Sequence, residues 1–552
     1  MSARSAATFV VAIVVGALLL GGPVRAITSW PLGISTLLAA LVGAGCAALF
    51  DRVSGTWVGA AWVAVLASVA VATFAASPYG PLAGWVGSDG GIHLSYRNEF
   101  VARDPHVYAS FVSFYAFTWC VEALFHCDAQ RSFAAGVLVV VGVVGAAMAW
   151  SACSGAVLSG SRAGRIAAVV ASVALLFGLA LPVVGYYQLD GFFAQLWILV
   201  PLVLVWLLDR SGLSRARTAL LFIVLCVAAR YTYGLVLGDL AMLGLVLVVR
   251  EARRDPEHRT VWIIALVVTV LGVIAFEWRF FRELVAVVER YGWFVKHDFP
   301  ASLRGAVVAS LALLTLALVA PAFGRTVVVP LTIVLTNTTT LLGLHLAYPG
   351  DHYYVFKYDF HALVLMCMAA AAASAFVVGG GLRARRGIGI AALVVLLLGL
   401  AQVGIALEPM RVAYTQRLLG GAGRTSKTAG SMRLASLVDG QATRRMRQVL
   451  ALEHAEFGGY LVAWGPMFNF VNAMFWRWNG GYFEFQGVDE RPGHCVFWTH
   501  RKGKSTGLWD MTPAMKKEEA RLDALPGSRH EQYRVSGEVR DLSYACWPAT
   551  EP

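Results

Sequence analysis

Charged residues are scarce in this sequence, and their scarcity decides its class. Only 14% of the 552 residues are Asp, Glu, Lys or Arg, whereas 58% are hydrophobic. A soluble chain would carry charge on about a quarter of its residues. The composition therefore excludes a string of soluble domains and indicates a polytopic membrane protein. We attribute the net charge of +12 to topology and to contacts with anionic membrane lipids, and we expect no nucleic-acid partner.

Metal-binding cysteine motifs and internal repeats are also missing. The eight cysteines have neither a C-x-x-C spacing nor histidine partners in a metal-ligand pattern. Cys46, Cys153, Cys226 and Cys367 fall in apolar segments, where we expect small buried hydrophobic side chains. The absence of an internal repeat argues against a transporter built from inverted repeats.

Apolar segments of membrane-spanning length follow one another up to residue 407. Counted by length, they predict about thirteen spans, with the N-terminus inside and the C-terminus outside. The predicted segments are 7–22, 31–50, 56–75, 132–155, 166–187, 192–208, 218–229, 233–249, 260–278, 305–323, 326–347, 361–378 and 388–407. We therefore predict an all-α polytopic membrane module, residues 1–407, followed by a separate domain, residues 408–552.

Residues 107–125 decide which loops lie outside. If this segment crosses the membrane, the basic loops 162–165, 210–217, 250–254 and 383–386 lie outside, against the positive-inside rule. If it lies along the outer surface as an interfacial helix, all four loops lie inside. We adopt the second interpretation. The aromatic residues that would then face the lipid boundary are Tyr108, Phe111, Phe114, Tyr115 and Trp119.

The first large outer loop, residues 76–131, contains the densest polar stretch. Asp89 is followed by two glycines, which let a backbone approach a ligand closely, and its carboxylate could act as general base to an acceptor hydroxyl. The alternative is an Asp-Gly turn in a solvated loop. Asp104 precedes Pro105 and His106, a pattern that marks a helix start and is also compatible with a second catalytic acid.

Arg230 and Lys357 lie at the outer ends of apolar segments. Cations at this depth would meet the anionic group of a phosphate-bearing lipid. The alternative is that they extend to the lipid head groups. The loop 348–361 around Lys357 also contains residue types that bind divalent metals, although their spacing fits no standard motif. These residues are Asp351, His352, Asp359 and His361.

Asp239 lies inside an apolar run and is either a buried hydrogen-bonding acid or part of a polar path. Residues 408–552 have mixed charge, and short alternating runs at 482–485 and 495–499 indicate a small α+β domain outside the membrane. Cys495 and Cys546 could form a disulfide there, because an extracytoplasmic compartment is oxidising.

The order of these features resembles that of the GT-C superfamily, the integral-membrane glycosyltransferases that use dolichyl- or polyprenyl-phosphate sugars. Asp89, Tyr96 and Glu99 resemble the acidic stretch in the family's first outer loop. The segment 104–106 and the helix after it are similar to the family's juxtamembrane element.

Two later segments extend the resemblance, which covers residues 56–407. Residues 229–232 look like the family's turn between two short helices, and residues 352–358 resemble the loop that approaches the lipid phosphate. The family usually has a second acid at or next to the position after the first, whereas this chain has Gly90 and Gly91 after Asp89. The second acid is therefore open between Glu99 and Asp104.

The resemblance implies inverting transfer of a sugar from a lipid phosphate to a glycan, lipid or protein acceptor. Asp89 would deprotonate the acceptor, and cations would stabilise the leaving phosphate. The residues assigned to the donor phosphate are Arg230, Lys357, His352 and Tyr231. Those assigned to the acceptor or to support are His106, Tyr96 and Arg97. Aromatic residues of 408–552 would stack on acceptor sugars or form that domain's own core.

Two other classes stay open. A polysaccharide polymerase or ligase that uses lipid-diphosphate glycan would need a large basic outer loop, for which residues 278–304 are the candidate. A transporter or lipid flippase would need paired ionisable groups in mid-membrane, for which Asp239 is the clearest candidate. In each case we expect a multi-pass protein of a bacterial-type inner membrane, without a certain cofactor, although a divalent metal could be used.

Overall fold

We analysed a computed structural model of the chain. It describes residues 16, 17, 19–49, 93, 96, 97, 100, 101, 111–126, 129–184, 193–211, 213, 215–254, 257, 260, 261, 263, 264, 267, 271, 299–347, 353–382, 385–407, 445, 446, 448–461, 490–498, 517, 520–535 and 538–547. For some helical residues, among them 43–49 and 353–359, the description covers the backbone alone.

The described residues are mostly helical, with a small sheet near the C-terminus. The helices are α1 (residues 19–28), α2 (Leu32–Leu49), α3 (Val112–Phe125), α4 (Ala129–Ser159), α5 (Arg162–Leu175), α6 (Phe193–Trp197), α7 (Leu199–Asp209), α8 (Arg215–Arg230), α9 (Leu237–Arg254), α10 (Phe299–Val319), α11 (Pro321–Thr326), α12 (Val328–Ala347), α13 (Tyr353–Val378) and α14 (Arg386–Ala406). A π-helical turn, Leu176–Ala180, continues α5, and a 3-10 turn, Gly234–Val236, precedes α9.

Among the described residues, five helices are long and apolar enough to cross a membrane, and they indicate a multi-pass membrane protein. They are Ala135–Ser159, Arg162–Val184, Ser302–Val319, Phe360–Val378 and Arg386–Ala406. Shorter apolar helices include Gln195–Asp209 and Val328–Gly343. The predicted count of about thirteen spans is not confirmed. Of the predicted segments, 56–75 lies outside the described residues, and 7–22 and 260–278 are described only in part.

Helix α13 forms the centre of the bundle. Within its span Phe360–Val378, 94% of the residues are buried, as expected for a helix that is apolar all round. Its small residues let α4 approach closely, and a Cβ added at Gly155 would lie 2.1 Å from the Ala372 carbonyl oxygen. Ser151 Oγ also donates a hydrogen bond of 2.7 Å to the Met368 carbonyl oxygen. The position of Gly155 therefore has room for glycine alone.

The cysteine predictions are confirmed only in part. Cys367 is buried in α13, whereas Cys153 and Cys226 are half-buried. The side chain of Cys46 lies outside the described residues.

The basic loops gather at one end of the bundle, which we call the basic end. The end of α4 meets the start of α5 and the end of α13, where Cβ atoms added at Gly164 and Gly379 would both contact Ser159 Oγ. The ends of α7, α9 and α11 meet beside them, around Arg250. All four loops that the sequence analysis groups on one side, 162–165, 210–217, 250–254 and 383–386, follow or precede these helix ends.

Helix α3 lies at the other end of the bundle, which we call the opposite end. The backbone N–H of Ser113, near its start, donates to the Tyr231 carbonyl oxygen at 3.0 Å. Glu122, near its finish, accepts a hydrogen bond of 2.9 Å from Ser132 Oγ at the start of α4. Because Tyr231 and Ser132 both stand at the opposite end, α3 lies across that end and does not cross the bundle.

The orientation predicted for the aromatic residues of α3 is wrong. Phe111, Phe114 and Tyr115 are buried in protein and do not face lipid. The Phe114 ring lies 5.0 Å from Phe133 and 5.8 Å from Phe193 between ring centroids. Trp119 is half-buried, and Tyr108 lies outside the described residues. An aromatic helix with few polar residues is suited to a core as well as to an interface, so composition alone did not separate the two environments.

The C-terminal region contains a four-stranded sheet with the order β1-β2-β4-β3. Its strands are β1 (Glu456–Leu461), β2 (His494–Trp498), β3 (Arg529–Val535) and β4 (Glu538–Cys546). Strand β1 is parallel to β2, and the other pairs are antiparallel. The strand predicted at 495–499 coincides with β2, whereas 482–485 lies outside the described residues.

Cys495 and Cys546 are bonded in a disulfide that joins β2 to β4. Trp498 is fully buried, and its Nε1 donates to Asp523 Oδ1 at 2.7 Å. Trp498 therefore belongs to the domain's core and is not a sugar-stacking residue.

Candidate active site

The predicted site residues divide into described and undescribed positions. The side chains of Tyr96, Arg97, Arg230 and Tyr231 are described, and Lys357 is described by its backbone in α13. Those that lie outside the described residues are Asp89, Glu99, Asp104, His106 and His352. The described members all lie at the opposite end of the bundle, where they can be related to one another.

Helical residues of the outer loop pack on α3 along one face. His93 Nδ1 lies 2.9 Å from the Tyr115 hydroxyl, and its ring meets Phe111 edge-on. Arg97 forms an ion pair with Glu122 and lies 3.4 Å from Thr118 Oγ1. His93 and Arg97 are four positions apart, so both lie on one helix face. These contacts attach the predicted catalytic loop to the bundle.

The guanidinium of Arg97 has a positioning role in this structure. Its side chain is only 7% exposed, and Glu122 also accepts a hydrogen bond from Ser132. The Glu122 carboxylate of α3 thereby joins Arg97 of the outer loop to Ser132 of α4. Tyr96 is half-buried and packs against the hydrophobic core. Arg97 thus supports the site through Glu122, a residue that the sequence analysis did not single out.

Arg25 in α1 contacts Phe100 and Val101 of the same outer loop. Its Nε donates to the Phe100 carbonyl oxygen at 2.9 Å and its Nη2 to that of Val101 at 3.3 Å. The guanidinium also lies 5.3 Å from the centroid of the Phe100 ring. Both carbonyl oxygens thereby accept hydrogen bonds from a charged donor. The sequence signal was a lone arginine at the end of an apolar run, and we did not assign it.

The turn after α8 carries Arg230 and rests on α3. Tyr231 accepts the hydrogen bond from Ser113, and Tyr233 stacks on Phe111 with 6.4 Å between ring centroids. Arg230 is half-buried, with its guanidinium 6.0 Å from the centroid of the Tyr231 ring. The structure therefore brings Arg230 and Tyr231, two predicted donor-site residues, to the start of the helix on which the outer loop rests.

A buried acid and a histidine lie beyond this turn. Asp239 Oδ2 is 2.7 Å from His361 Nε2, and the two side chains are 0% and 1% exposed. Within the described part of the chain, Asp239 Oδ1 is buried without a hydrogen-bond partner. Asp239 is therefore buried and hydrogen-bonded, as the first of the two alternatives predicts. The pairing with His361 was missed because it joins residues 122 positions apart.

The described residues give no support for a metal centre. Among the described side chains, no three His, Cys, Asp or Glu residues gather closely enough to hold an ion. His361, one of the four candidates in the loop 348–361, is bonded to Asp239. Asp351 and His352 lie outside the described residues, as does the side chain of Asp359.

The described site combines the Arg230 guanidinium with the rings of Tyr231 and Tyr233 at the end of α8. The buried pair of Asp239 and His361 follows this turn. Comparisons with protein-family models, with curated proteins and with solved structures found no match for this chain. The resemblance to the GT-C superfamily therefore stays a prediction, and the function must be argued from the site.

Proposed function

We propose that this chain is an integral-membrane glycosyltransferase that moves a sugar from a polyprenyl-phosphate donor to a glycan, lipid or protein acceptor. The observation that supports the proposal most is a convergence on α3. The outer loop rests on α3 through His93 and Arg97, and the turn that carries Arg230 rests on the start of the same helix. The loop that contains the candidate bases and the turn that carries a candidate phosphate-binding cation thus both contact α3.

Chain connectivity limits how far the candidate acids can lie from this convergence. Asp89 precedes His93 by four residues, a length that spans at most about 14 Å. Glu99 is adjacent to Phe100, and Asp104 follows Val101 by three residues. Each candidate base is therefore at most four residues along the chain from a residue that contacts the bundle.

In the proposed reaction, a carboxylate takes the proton of the acceptor hydroxyl, and the acceptor oxygen attacks the anomeric carbon. The bond from that carbon to the phosphate oxygen breaks, and the lipid phosphate leaves with the electron pair. Arg230 and Lys357 would stabilise the charge that develops on the phosphate. Asp89 is our first choice as base, with Glu99 and Asp104 as the alternatives.

Two independent observations support an extracytoplasmic site. The basic loops gather at the basic end, and such loops favour the cytoplasm. The Cys495–Cys546 disulfide lies in the domain that follows α14, and disulfides persist in oxidising compartments. Both observations support an extracytoplasmic position for the opposite end. We propose a bacterial-type inner membrane, with about thirteen spans when the undescribed apolar segments are included.

The test is a transfer assay with the purified chain in lipid and a panel of polyprenyl-phosphate sugars. We expect turnover of one donor, which Asp89→Asn abolishes and Arg230→Ala strongly reduces. Arg165→Ala is the matched control, because Arg165 is an exposed arginine near the basic end. Turnover that survives Asp89→Asn would move the base to Glu99 or Asp104.

The same assay separates the polymerase or ligase alternative. If no lipid-monophosphate sugar is consumed but a lipid-diphosphate glycan is extended or transferred, the proposal is wrong in its donor. In that outcome, the basic outer stretch 278–304 becomes the first region to substitute.

Transport is a second candidate, because the Asp239–His361 pair is of the kind that proton-coupled carriers use. The position of the pair is less favourable to transport. Asp239 is the third residue of α9, and His361 is the ninth of the 26 residues of α13. The pair therefore lies in the half of each helix that is nearer to the opposite end. Uptake into proteoliposomes that follows a proton gradient and is lost in Asp239→Asn would favour transport over transfer.

A further inference from the structure

A cleft of about 360 Å³ opens at the basic end, away from the proposed active site. Three arginines line it: Arg210 follows α7, Arg250 lies in α9 and Arg325 lies in α11. Asp209 is the carboxylate among its lining residues. With three guanidinium groups and one carboxylate, the lining carries a net positive charge.

The arginines of this cleft differ in how they are engaged. Arg250 Nη1 lies 2.8 Å from Asp209 Oδ1, and its Nε lies 3.2 Å from Glu251 Oε1. Arg250 is therefore neutralised and held in place. The side chains of Arg210 and Arg325 have no hydrogen bond or ion pair with any residue that the structure describes. Two guanidinium groups thus line the cleft with donors that no described residue uses.

The walls of the cleft are built by the fold. Trp206 Nε1 in α7 donates to the Thr326 carbonyl oxygen of α11 at 2.9 Å, and the bond is buried. This bond holds Arg325 beside Arg210, because each arginine lies within four residues of one of its partners. A Cβ added at Gly324 would lie 2.7 Å from the Ala317 carbonyl oxygen, so α11 is folded tightly against the end of α10. Helix packing therefore places Arg210 and Arg325 in the lining of one cleft.

We propose that this cleft is a phosphate-binding site, in which Arg210 and Arg325 bind the phosphate oxygens and Arg250, held by Asp209, forms the floor. A guanidinium presents paired donors that match phosphate oxygens. The phosphate could belong to an anionic lipid head group, since basic pockets between membrane helices bind such groups on the cytoplasmic side, or it could be free in solution. The site is separate from the donor site around Arg230, and it does not rest on the proposed glycosyl transfer.

The experiment uses the full chain in nanodiscs of two compositions, one of phosphatidylcholine alone and one with added phosphatidylglycerol. Phosphatidylglycerol retained by the protein is counted by native mass spectrometry, and inorganic phosphate is titrated into the phosphatidylcholine nanodiscs with the unfolding midpoint as readout. The test variant is Arg210→Gln/Arg325→Gln. The matched control is Arg165→Gln, which removes an exposed arginine near the basic end but outside the cleft lining.

If the proposal holds, the double variant binds its phosphate ligand at least about tenfold more weakly, because two charge-assisted contacts are lost, and Arg165→Gln is unchanged. Loss with phosphatidylglycerol alone identifies a lipid head group, and loss with inorganic phosphate identifies a free anion. Equal binding by the double variant and the wild type overturns the proposal, as does the absence of binding by the wild type in both arms. Should the double variant fail to fold, Arg325→Gln alone serves, since Arg325 is exposed.

Discussion

His361 Nε2 lies 2.7 Å from Asp239 Oδ2, and the bundle encloses both side chains almost completely. The bond joins α9 to α13. It therefore connects the helix that begins after the Arg230 turn to the helix that carries Lys357 in its first turns. This buried pair therefore links the two helices next to the cations assigned to the donor phosphate.

Replacing only one member of this pair with leucine should destabilise the protein strongly. Asp239→Leu or His361→Leu leaves a buried polar partner uncompensated, at a cost of about 3–5 kcal/mol. The double variant should lose much less than the sum, because no unpaired group remains. Unfolding of the four proteins of this double-mutant cycle in one detergent measures the coupling. If the two single losses add to within about 0.5 kcal/mol, the two side chains are not coupled.

The ion pair between Arg97 and Glu122 should hold the outer loop on α3. Arg97→Met should cost about 1.5–3 kcal/mol, the range for hydrogen bonds to charged groups, because the Arg97 side chain is only 7% exposed. Hydrogen exchange of residues 93–101 should accelerate by about tenfold or more. Under the proposed function, the turnover number should fall as well.

Arg215→Met is the matched control for the Arg97 experiment. Arg215 Nε also faces a carboxylate, Glu251, at 3.0 Å, but its side chain is 42% exposed. Exposed pairs contribute about 0–1 kcal/mol, so this substitution should leave exchange in residues 93–101 unchanged. Equal effects of the two substitutions on that segment would argue against docking through Arg97.

Two glycines of α4 should respond oppositely to alanine. Gly155→Ala places a methyl group against the Ala372 carbonyl oxygen, which belongs to the backbone and cannot rotate away. We expect a loss of about 1–3 kcal/mol. Gly145 has no atom within 4 Å of an added Cβ, so Gly145→Ala should be neutral or gain up to about 1 kcal/mol from helix propensity. Unfolding midpoints in the same detergent test the contrast, and a destabilised Gly145→Ala would contradict it.

The C-terminal sheet should lose stability in acid because Glu531 becomes protonated. Hydrogen bonds from Arg445, 2.6 and 2.8 Å long, lower the pKa of Glu531 below its usual 4.5. A lowered pKa in the folded state contributes stability above the unfolded-state pKa, and this stability is lost as pH falls through 4.5 toward the folded value. Hydrogen exchange of β3 and β4, corrected for its intrinsic pH dependence, should show this loss in the wild type.

Glu531→Gln should remove the acid-dependent part of that loss, because a glutamine does not titrate. The control is Glu453→Gln, which removes a carboxylate of the same region whose partner, Arg529, has a side chain that is 61% exposed. It should keep the acid response of the wild type. If Glu531→Gln also keeps it, another group is responsible for the acid dependence.

Several properties of this protein could be predicted from the sequence, because they depend on local composition. The scarcity of charge indicated a multi-pass membrane protein, and the apolar runs anticipated the five long helices. The positive-inside rule put four basic loops on one side of the membrane, and the helix ends next to these loops lie together at the basic end. The strand β2 was also predicted, and the Cys495–Cys546 disulfide was left open as one possibility.

The functional geometry depended on tertiary structure. The pairs Asp239–His361 and Arg97–Glu122, and the three arginines of the basic cleft, each join helices that are distant in sequence. Helical periodicity shows which residues share a face, but it does not show which other helix that face meets. Nearly every face of α3 is apolar, so periodicity could not show whether its aromatic side chains face lipid or the protein core. The sequence by itself therefore determined that this is a multi-pass membrane protein, and only the packing of its helices decided which charges meet.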